Sequence, residues 1–121
     1  MLPLQTNYFL ISMNWIPLES AEQVKEIKQQ QGYSIIFKHS IRCSTSLMAK
    51  RRLEMDKDSV PNGLHVYFLD LIRNRELSNQ IAEDFQVHHE SPQLLVIKDG
   101  ECILDQSHGG ISFEEALTVL S

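Results

Sequence analysis

One segment restricts the fold of this chain more than any other. Glu90-Ser91-Pro92-Gln93 leads directly into the apolar run Leu94-Leu95-Val96-Ile97-Lys98, and Asp99-Gly100 closes it. Proline has no N–H to give to a sheet ladder, so it is tolerated only at an edge or at the first position of a strand. Asp-Gly suits a two-residue hairpin turn, which needs positive φ at both positions. The segment therefore predicts a strand over residues 93–98, opened by Pro92, with an antiparallel return over 101–106.

The upstream elements follow from spacing. Tyr33-Ser34-Ile35-Ile36-Phe37 and Leu64-His65-Val66-Tyr67-Phe68-Leu69-Asp70 each follow a glycine and are rich in β-branched and aromatic residues, as buried strands are. Lys38 to Cys43 reads as a polar segment after the first of them. Ser20 caps a helix in which Ala21, Val24 and Ile27 recur at helical spacing until Gly32. Residues 44–55 contain no Gly or Pro and place Lys50-Arg51-Arg52 toward the C-terminal half, where the helix dipole favours cations. Leu77, Ile81 and Phe85 form one apolar stripe through residues 75–86. Ser112 with Glu115 forms a capping box ahead of Phe113, Ala116, Leu117 and Leu120. The order α-β-α-β-α-β-β-α predicts a parallel pair with a right-handed crossover and an antiparallel pair at the end. The fold class is α/β, one small mixed sheet with helices on both faces. Residues 1–12, apolar, aperiodic and uncharged, read as a dispensable N-terminal extension to a single domain over 13–121.

Charge and composition exclude several functions. Sixteen acids against eleven bases give a net charge of −5, the wrong sign for binding nucleic acid by neutralising phosphates. No apolar run approaches the roughly 20 residues a membrane-spanning helix requires. The first residues lack the basic segment and small-residue cleavage site of a secretory signal. The two cysteines, Cys43 and Cys102, are too few and too far apart for a disulfide framework. A reducing cytoplasm is the expected location.

Cys43 is the most informative position. It lies where a strand gives way to a helix, and the N–H groups and dipole at a helix N-terminus favour thiolate over thiol. Arg42 is adjacent, Lys38 and His39 are near, and Ser44-Thr45-Ser46 brings no acid to the first turn. The alternative, a buried small hydrophobe, fits these neighbours poorly. Cys43-Ser44-Thr45-Ser46 has the spacing of a dithiol redox motif with its second sulfur replaced by oxygen. Such a site closes no disulfide of its own but still exchanges with an outside disulfide. Ser46 is placed to donate a hydrogen bond to the sulfur. Strand 93–98 spans about 20 Å at ~3.3 Å per residue, which carries Cys102 far beyond the roughly 7 Å Cα separation of a disulfide. A cis Ser91–Pro92 bond is expected, turning the Ser91 backbone toward Cys43; a trans proline opening the strand fits the same pattern. His39, His88, His89 and His108 raise a metal or iron–sulfur reading, but no pair has a recognised ligand spacing, so no metal is assigned. Gly109-Gly110 precedes the last helix, whose N-terminus would accept a carboxylate; a plain loop uses the same residues.

Several of these segments carry a resemblance. Phe85-Gln86-Val87 through Gly100 resembles the cis-proline strand and hairpin of the thioredoxin superfamily. Asn14-Trp15-Ile16-Pro17-Leu18, Phe37-Lys38-His39-Ser40 ahead of Cys43, Ser91-Pro92-Gln93 and His108-Gly109-Gly110-Ile111-Ser112 resemble the YtxJ-like monothiol bacilliredoxins, in register over about residues 13–121. Members often have Pro directly after the cysteine, where this chain has Ser44. The resemblance implies a thioredoxin-like fold and a monothiol oxidoreductase, with Cys43 catalytic, that removes bacillithiol from S-bacillithiolated client proteins. It implies no tightly bound cofactor, bacillithiol as the low-molecular-weight thiol co-substrate, and S-thiolated proteins as partners. Lys38, His39, Arg42 and Ser46 would stabilise the thiolate, and Ser91, Pro92, Gly109 and Gly110 would bind substrate. The alternative is a non-enzymatic module of the same fold that binds a partner protein or an iron–sulfur cluster.

Overall fold

Five strands form one mixed sheet in the computed structural model, which describes residues 14–120. The expected extension over 1–12 lies outside the described residues. The strands are β1 (Ile16–Pro17), β2 (Tyr33–His39), β3 (His65–Asp70), β4 (Gln93–Lys98) and β5 (Glu101–Ser107), in the spatial order β1-β3-β2-β4-β5. β1 and β2 pair with β3 in parallel; β4 pairs antiparallel with β2, and β5 with β4. The helices are α1 (Ala21–Gln29), α2 (Ser44–Met55), α3 (Arg75–Asp84) and α4 (Phe113–Ala116). The expected α/β arrangement is the one the chain adopts.

The sheet is central because its strands are apolar on both faces. Along β2, Ile36 packs with Val24 and Ile27 of α1 and Leu77 and Ile81 of α3, whereas Ile35 and Phe37 pack with Ala49 and Leu53 of α2 and Phe113 and Ala116 of α4. Burying a side chain such as Phe37 stabilises the fold by roughly 1.5–3 kcal/mol. β2 lies in the middle of this arrangement and continues two residues beyond the predicted strand end. Lys38 and His39 are therefore strand residues, each with about 1% or less of its surface exposed, not a polar loop.

Local chemistry sets the element ends. The Ser20 hydroxyl accepts from the Gln23 N–H while the Gln23 side chain accepts from the Ser20 N–H at 3.1 Å, so α1 opens with a complete capping box. At α4 only half of the expected box forms: Ser112 Oγ accepts from Glu115 N at 3.2 Å, and the helix stops after four residues in a 3₁₀ turn over Leu117–Val119. The Asp99–Gly100 hairpin has positive φ at both residues, as the sequence requires. It is also tied to the end of α1: Asp99 N–H donates to Gly32 O at 2.9 Å, Gly32 N–H donates to Asp99 Oδ1 at 2.7 Å, and Lys28 Nζ donates to Gly100 O at 3.0 Å. β1, two residues beside β3, was not anticipated, since so short a segment carries no periodicity.

Candidate active site

Cys43 is the N-cap of α2, reached from the end of β2 by a turn in which Cys43 N–H donates to Ser40 O at 3.1 Å. Its carbonyl accepts from Leu47 N–H at 3.0 Å, so the backbone is already helical in its bonding. The side chain makes no capping hydrogen bond and is partly exposed, and the first turn of α2 contains no acid. The sulfur is thus at the positive end of a twelve-residue helix without a competing anion. Arg42 is exposed in the same turn.

The opposing wall is the start of β4. The register sets Lys38 opposite Gln93, so Ser91–Pro92 lies at the end of β2 from which the Ser40–Cys43 turn departs. The Ser91–Pro92 bond is cis, as expected. Pro92 is buried, and its carbonyl accepts from His108 N–H at 3.2 Å, which brings the 3₁₀ turn His108–Gly110 alongside. That turn packs against α2, and the Arg52 guanidinium donates to Ile111 O at 3.4 Å. Cys43, the Ser91–Pro92 bond and Gly109–Gly110 therefore share one end of the sheet. At the start of the last helix Ser112 N–H donates to Gln106 Oε1 at 3.0 Å and Glu115 N–H to Ser112 Oγ at 3.2 Å.

Lys38 and His39 point to opposite faces of the sheet. His39 turns to the α2 side, stacked on Phe37 with ring centroids 5.7 Å apart and tilted against Phe68 at 5.4 Å. Its Nδ1 meets Ser46 Oγ at 2.6 Å, and that same oxygen accepts from Ser40 N–H at 3.0 Å. Ser46 is fully buried. Its hydroxyl thus bridges the end of β2 to the third residue of α2 and braces the turn that carries Cys43, rather than reaching for the sulfur. Burial pushes the His39 imidazole below its usual pKa, Lys50 adds to that, and Asp70 and Glu54 oppose it. Only a neutral ring can accept at Nδ1 from the Ser46 hydroxyl.

Lys38 turns to the α1–α3 side. Its Nζ donates to Ser78 O at 3.3 Å and lies 3.3 Å from His89 Nδ1. Burial brings the Lys38 amine down to about 8. His89 is likewise lowered, first by burial and then by the Lys38 charge. The expected role of Lys38 beside the thiolate thus meets a different placement: the amine supports the loop ahead of Ser91 from behind. Gln93 does the same, donating through Nε2 to His88 O at 2.9 Å and accepting from Glu90 N–H at 3.4 Å. On the outer side of this loop Glu90 joins His108, at 3.0 Å, and His88, at 3.7 Å. Gln93 and Glu90 stand in the segment the sequence marks out but carry no site role there; a polar residue directly after a strand-opening proline is the available signal. Among the described residues no three His, Cys, Asp or Glu side chains converge as a metal-binding group.

Cys102 lies beside Ile97 near the hairpin, at the far end of β4 from Pro92. It packs against the α1–α3 core, its S–H donates to Leu104 O at 3.4 Å, and burial pushes its pKa up to about 11. Both cysteines are free thiols.

A family model described as monothiol bacilliredoxin BrxC matches residues 16–116. The chain belongs to the monothiol bacilliredoxin family. Among solved structures, a candidate oxidoreductase with a thioredoxin fold is 28% identical, with a TM-score of 0.74, over 85% of this chain and 90% of that one. The thioredoxin of Malassezia sympodialis is 18% identical with a TM-score of 0.67, over 86% of this chain and 87% of its own. That of Trypanosoma brucei brucei is 14% identical with a TM-score of 0.65, over 78% and 79%. At such identities the two thioredoxins bear on the fold alone, and the fold is thioredoxin-like. Bacilliredoxin membership supports a thiol redox role for the chain. No helix of the described residues is long and apolar enough to cross a membrane.

Proposed function

We propose that this bacilliredoxin removes a low-molecular-weight thiol, bacillithiol, from S-thiolated client proteins through Cys43 alone. The observation that carries the reading is the position of Cys43: an uncapped, partly exposed sulfur at the positive end of α2, at the end of the sheet that also carries the cis Ser91–Pro92 bond. In the first step the Cys43 thiolate attacks the bacillithiol sulfur of the client's mixed disulfide. The new Cys43–bacillithiol S–S bond forms, the old one breaks, and the client cysteine leaves as a thiolate with the electron pair. A second bacillithiol thiolate then attacks the sulfur already carried on Cys43, forming bacillithiol disulfide and releasing the Cys43 thiolate. No net electrons are gained by the protein over the cycle.

Each neighbouring group has a role in this scheme. The α2 terminus turns its positive end toward the Cys43 position, and Arg42 is exposed in the same turn. His39, through Ser46, holds the Ser40–Cys43 turn. The Ser91 backbone lies where an extended client segment would align. A Cβ on Gly109 or Gly110 would meet nothing within 4 Å and neither has positive φ, so the fold does not require glycine there, which supports reading the pair as open ground for the small thiol. Client proteins in a reducing compartment are the expected partners, and Cys102, a remote thiol with a raised pKa, has no part.

Intact-mass measurement tests the proposal. After exposure to an S-bacillithiolated client, the wild type is expected to carry one bacillithiol, Cys43→Ser none, and Cys102→Ser one. Accumulation of a Cys43–Cys102 disulfide instead of the adduct would refute the single-cysteine scheme. Parallel exposure to glutathione and coenzyme A disulfides identifies the preferred thiol by adduct mass.

A further inference from the structure

The outer face of α2 is unlike that of the other long helices. α1 and α3 turn Glu22, Lys25 and Glu26, and Arg75, Glu76, Asn79 and Glu83 outward, as surface helices usually do. The side of α2 opposite its buried Ser46, Ala49 and Leu53 instead bears Leu47, Met48, Arg51 and Met55, which at ~3.6 residues per turn fall in one stripe running back to Cys43. Leu47, Met48 and Met55 are 48%, 63% and 78% exposed, and Ile41, in the turn before Cys43, is 59% exposed. These are four of the five large hydrophobic side chains that stand exposed among the described residues. An apolar surface of this kind, kept next to a reactive sulfur, is a mark of binding.

Charge decides what it binds. The chain as a whole is acidic, at −5. Within the stripe the charge is of the other sign: Arg51 lies in it and Arg42 at its head, neither in an ion pair among the described residues; Glu54, the one acid of α2, is held by Lys50 at 2.8 Å and Trp15 Nε1 at 3.0 Å, and the exposed acids Asp56 and Asp58 come only beyond Met55, at the end remote from Cys43. We infer that this stripe is the docking surface for client proteins, and that it selects segments presenting an apolar side chain flanked by acidic residues around the thiolated cysteine. The inference rests on the proposed function and adds to it the substrate class. Acidic clients are repelled by the remaining surface and attracted here, which orients them with their disulfide toward Cys43. Methionine suits a surface that meets many different partners, since its side chain repacks at low cost.

Two heptapeptides test it, each with a central cysteine between leucines, one with aspartates and one with lysines at the outer positions. Binding of the unmodified peptides to the full-length Cys43→Ser protein, read by fluorescence anisotropy, is independent of the chemistry. The acidic peptide is expected to bind about tenfold more tightly at low salt, with the difference falling to about twofold at high salt. Arg51→Glu should abolish the preference, and Met48→Gln with Met55→Gln should weaken both peptides by about tenfold. The same variants with Cys43 intact should release bacillithiol from its mixed disulfide with free cysteine at the wild-type rate, while losing rate on the thiolated acidic peptide. Equal binding of the two peptides, or unchanged binding by the methionine variants, overturns the docking surface. A salt-insensitive dimer dissolved by the methionine substitutions also overturns it, by showing that a second copy covers the stripe. Failure of the wild type on the small disulfide refutes the proposed function separately.

Discussion

Lys38 and His39 are adjacent in sequence and face opposite sides of the sheet, and their chemistry diverges accordingly. Lys38 has a pKa of about 8 in the fold, well below its ordinary value, because burial disfavours its charge. A base with a lowered folded-state pKa stabilises least where it must be charged, so the cost of Lys38 is greatest below pH 8 and disappears as pH rises toward the unfolded value near 10.4. Lys38→Met is therefore expected to raise Tm at pH 7 by several degrees, for a gain of roughly 1 kcal/mol, with the gain shrinking toward pH 10. Unchanged or lower Tm in calorimetry would mean that its bonds to Ser78 and His89 outweigh the buried charge. A second expectation concerns Cys102, whose pKa is pushed up to about 11. In Cys43→Ser, alkylation by iodoacetamide should be slow at pH 7 and increase steeply only toward pH 11. Much of this site was legible in the chain. Cys43 ahead of an acid-free helical turn and Pro92 ahead of an apolar run are local signals. The bridge from His39 through Ser46 to Ser40 was not, because it depends on which sheet face each residue takes. Polar residues after Phe37 resemble a loop until their burial is seen.

At the scale of elements, caps and turns carried most of the information. Ser20, Asp99-Gly100 and the apolar stripe through Leu77 and Ile81 identify α1, the hairpin and α3 because each is a local pattern with one physical solution. β1 is too short to have a pattern, and α4 ends early because Leu117, Val119 and Leu120 reach the α2-side core from a 3₁₀ turn rather than from a continued helix. The hairpin also has a partner that local reasoning does not supply. A Cβ at Gly100 would collide with the Lys28 carbonyl, and the residue has φ +81° besides. Gly100→Ala is expected to cost about 2–4 kcal/mol, through strain and loss of the contact between the hairpin and the end of α1. Urea unfolding measures it; a cost within ~0.5 kcal/mol, as for an ordinary surface substitution, would show that the two parts separate freely.

Across the whole molecule, two histidines with lowered pKa values, His39 and His89, tie stability to pH. Both favour the neutral ring in the fold, so the unfolded chain takes up protons first as pH falls. Their contribution is complete above the unfolded value near 6.5 and is lost as pH drops through the lower folded values. Tm is expected to decline from pH 7 to pH 5, and His89→Gln should flatten part of that decline. A profile level over this range in both proteins would contradict the assignment. The strand order has a consequence for synthesis on the ribosome. β2 has β3 on one side and β4 on the other, and β4 follows it in the chain by more than fifty residues. A nascent chain that has emerged only as far as α3 holds β2 as an apolar edge open along its whole length. Until Gln93–Lys98 is free to pair, that edge offers itself to any other strand, so chains truncated before Ser91 should be found with chaperones or in aggregates.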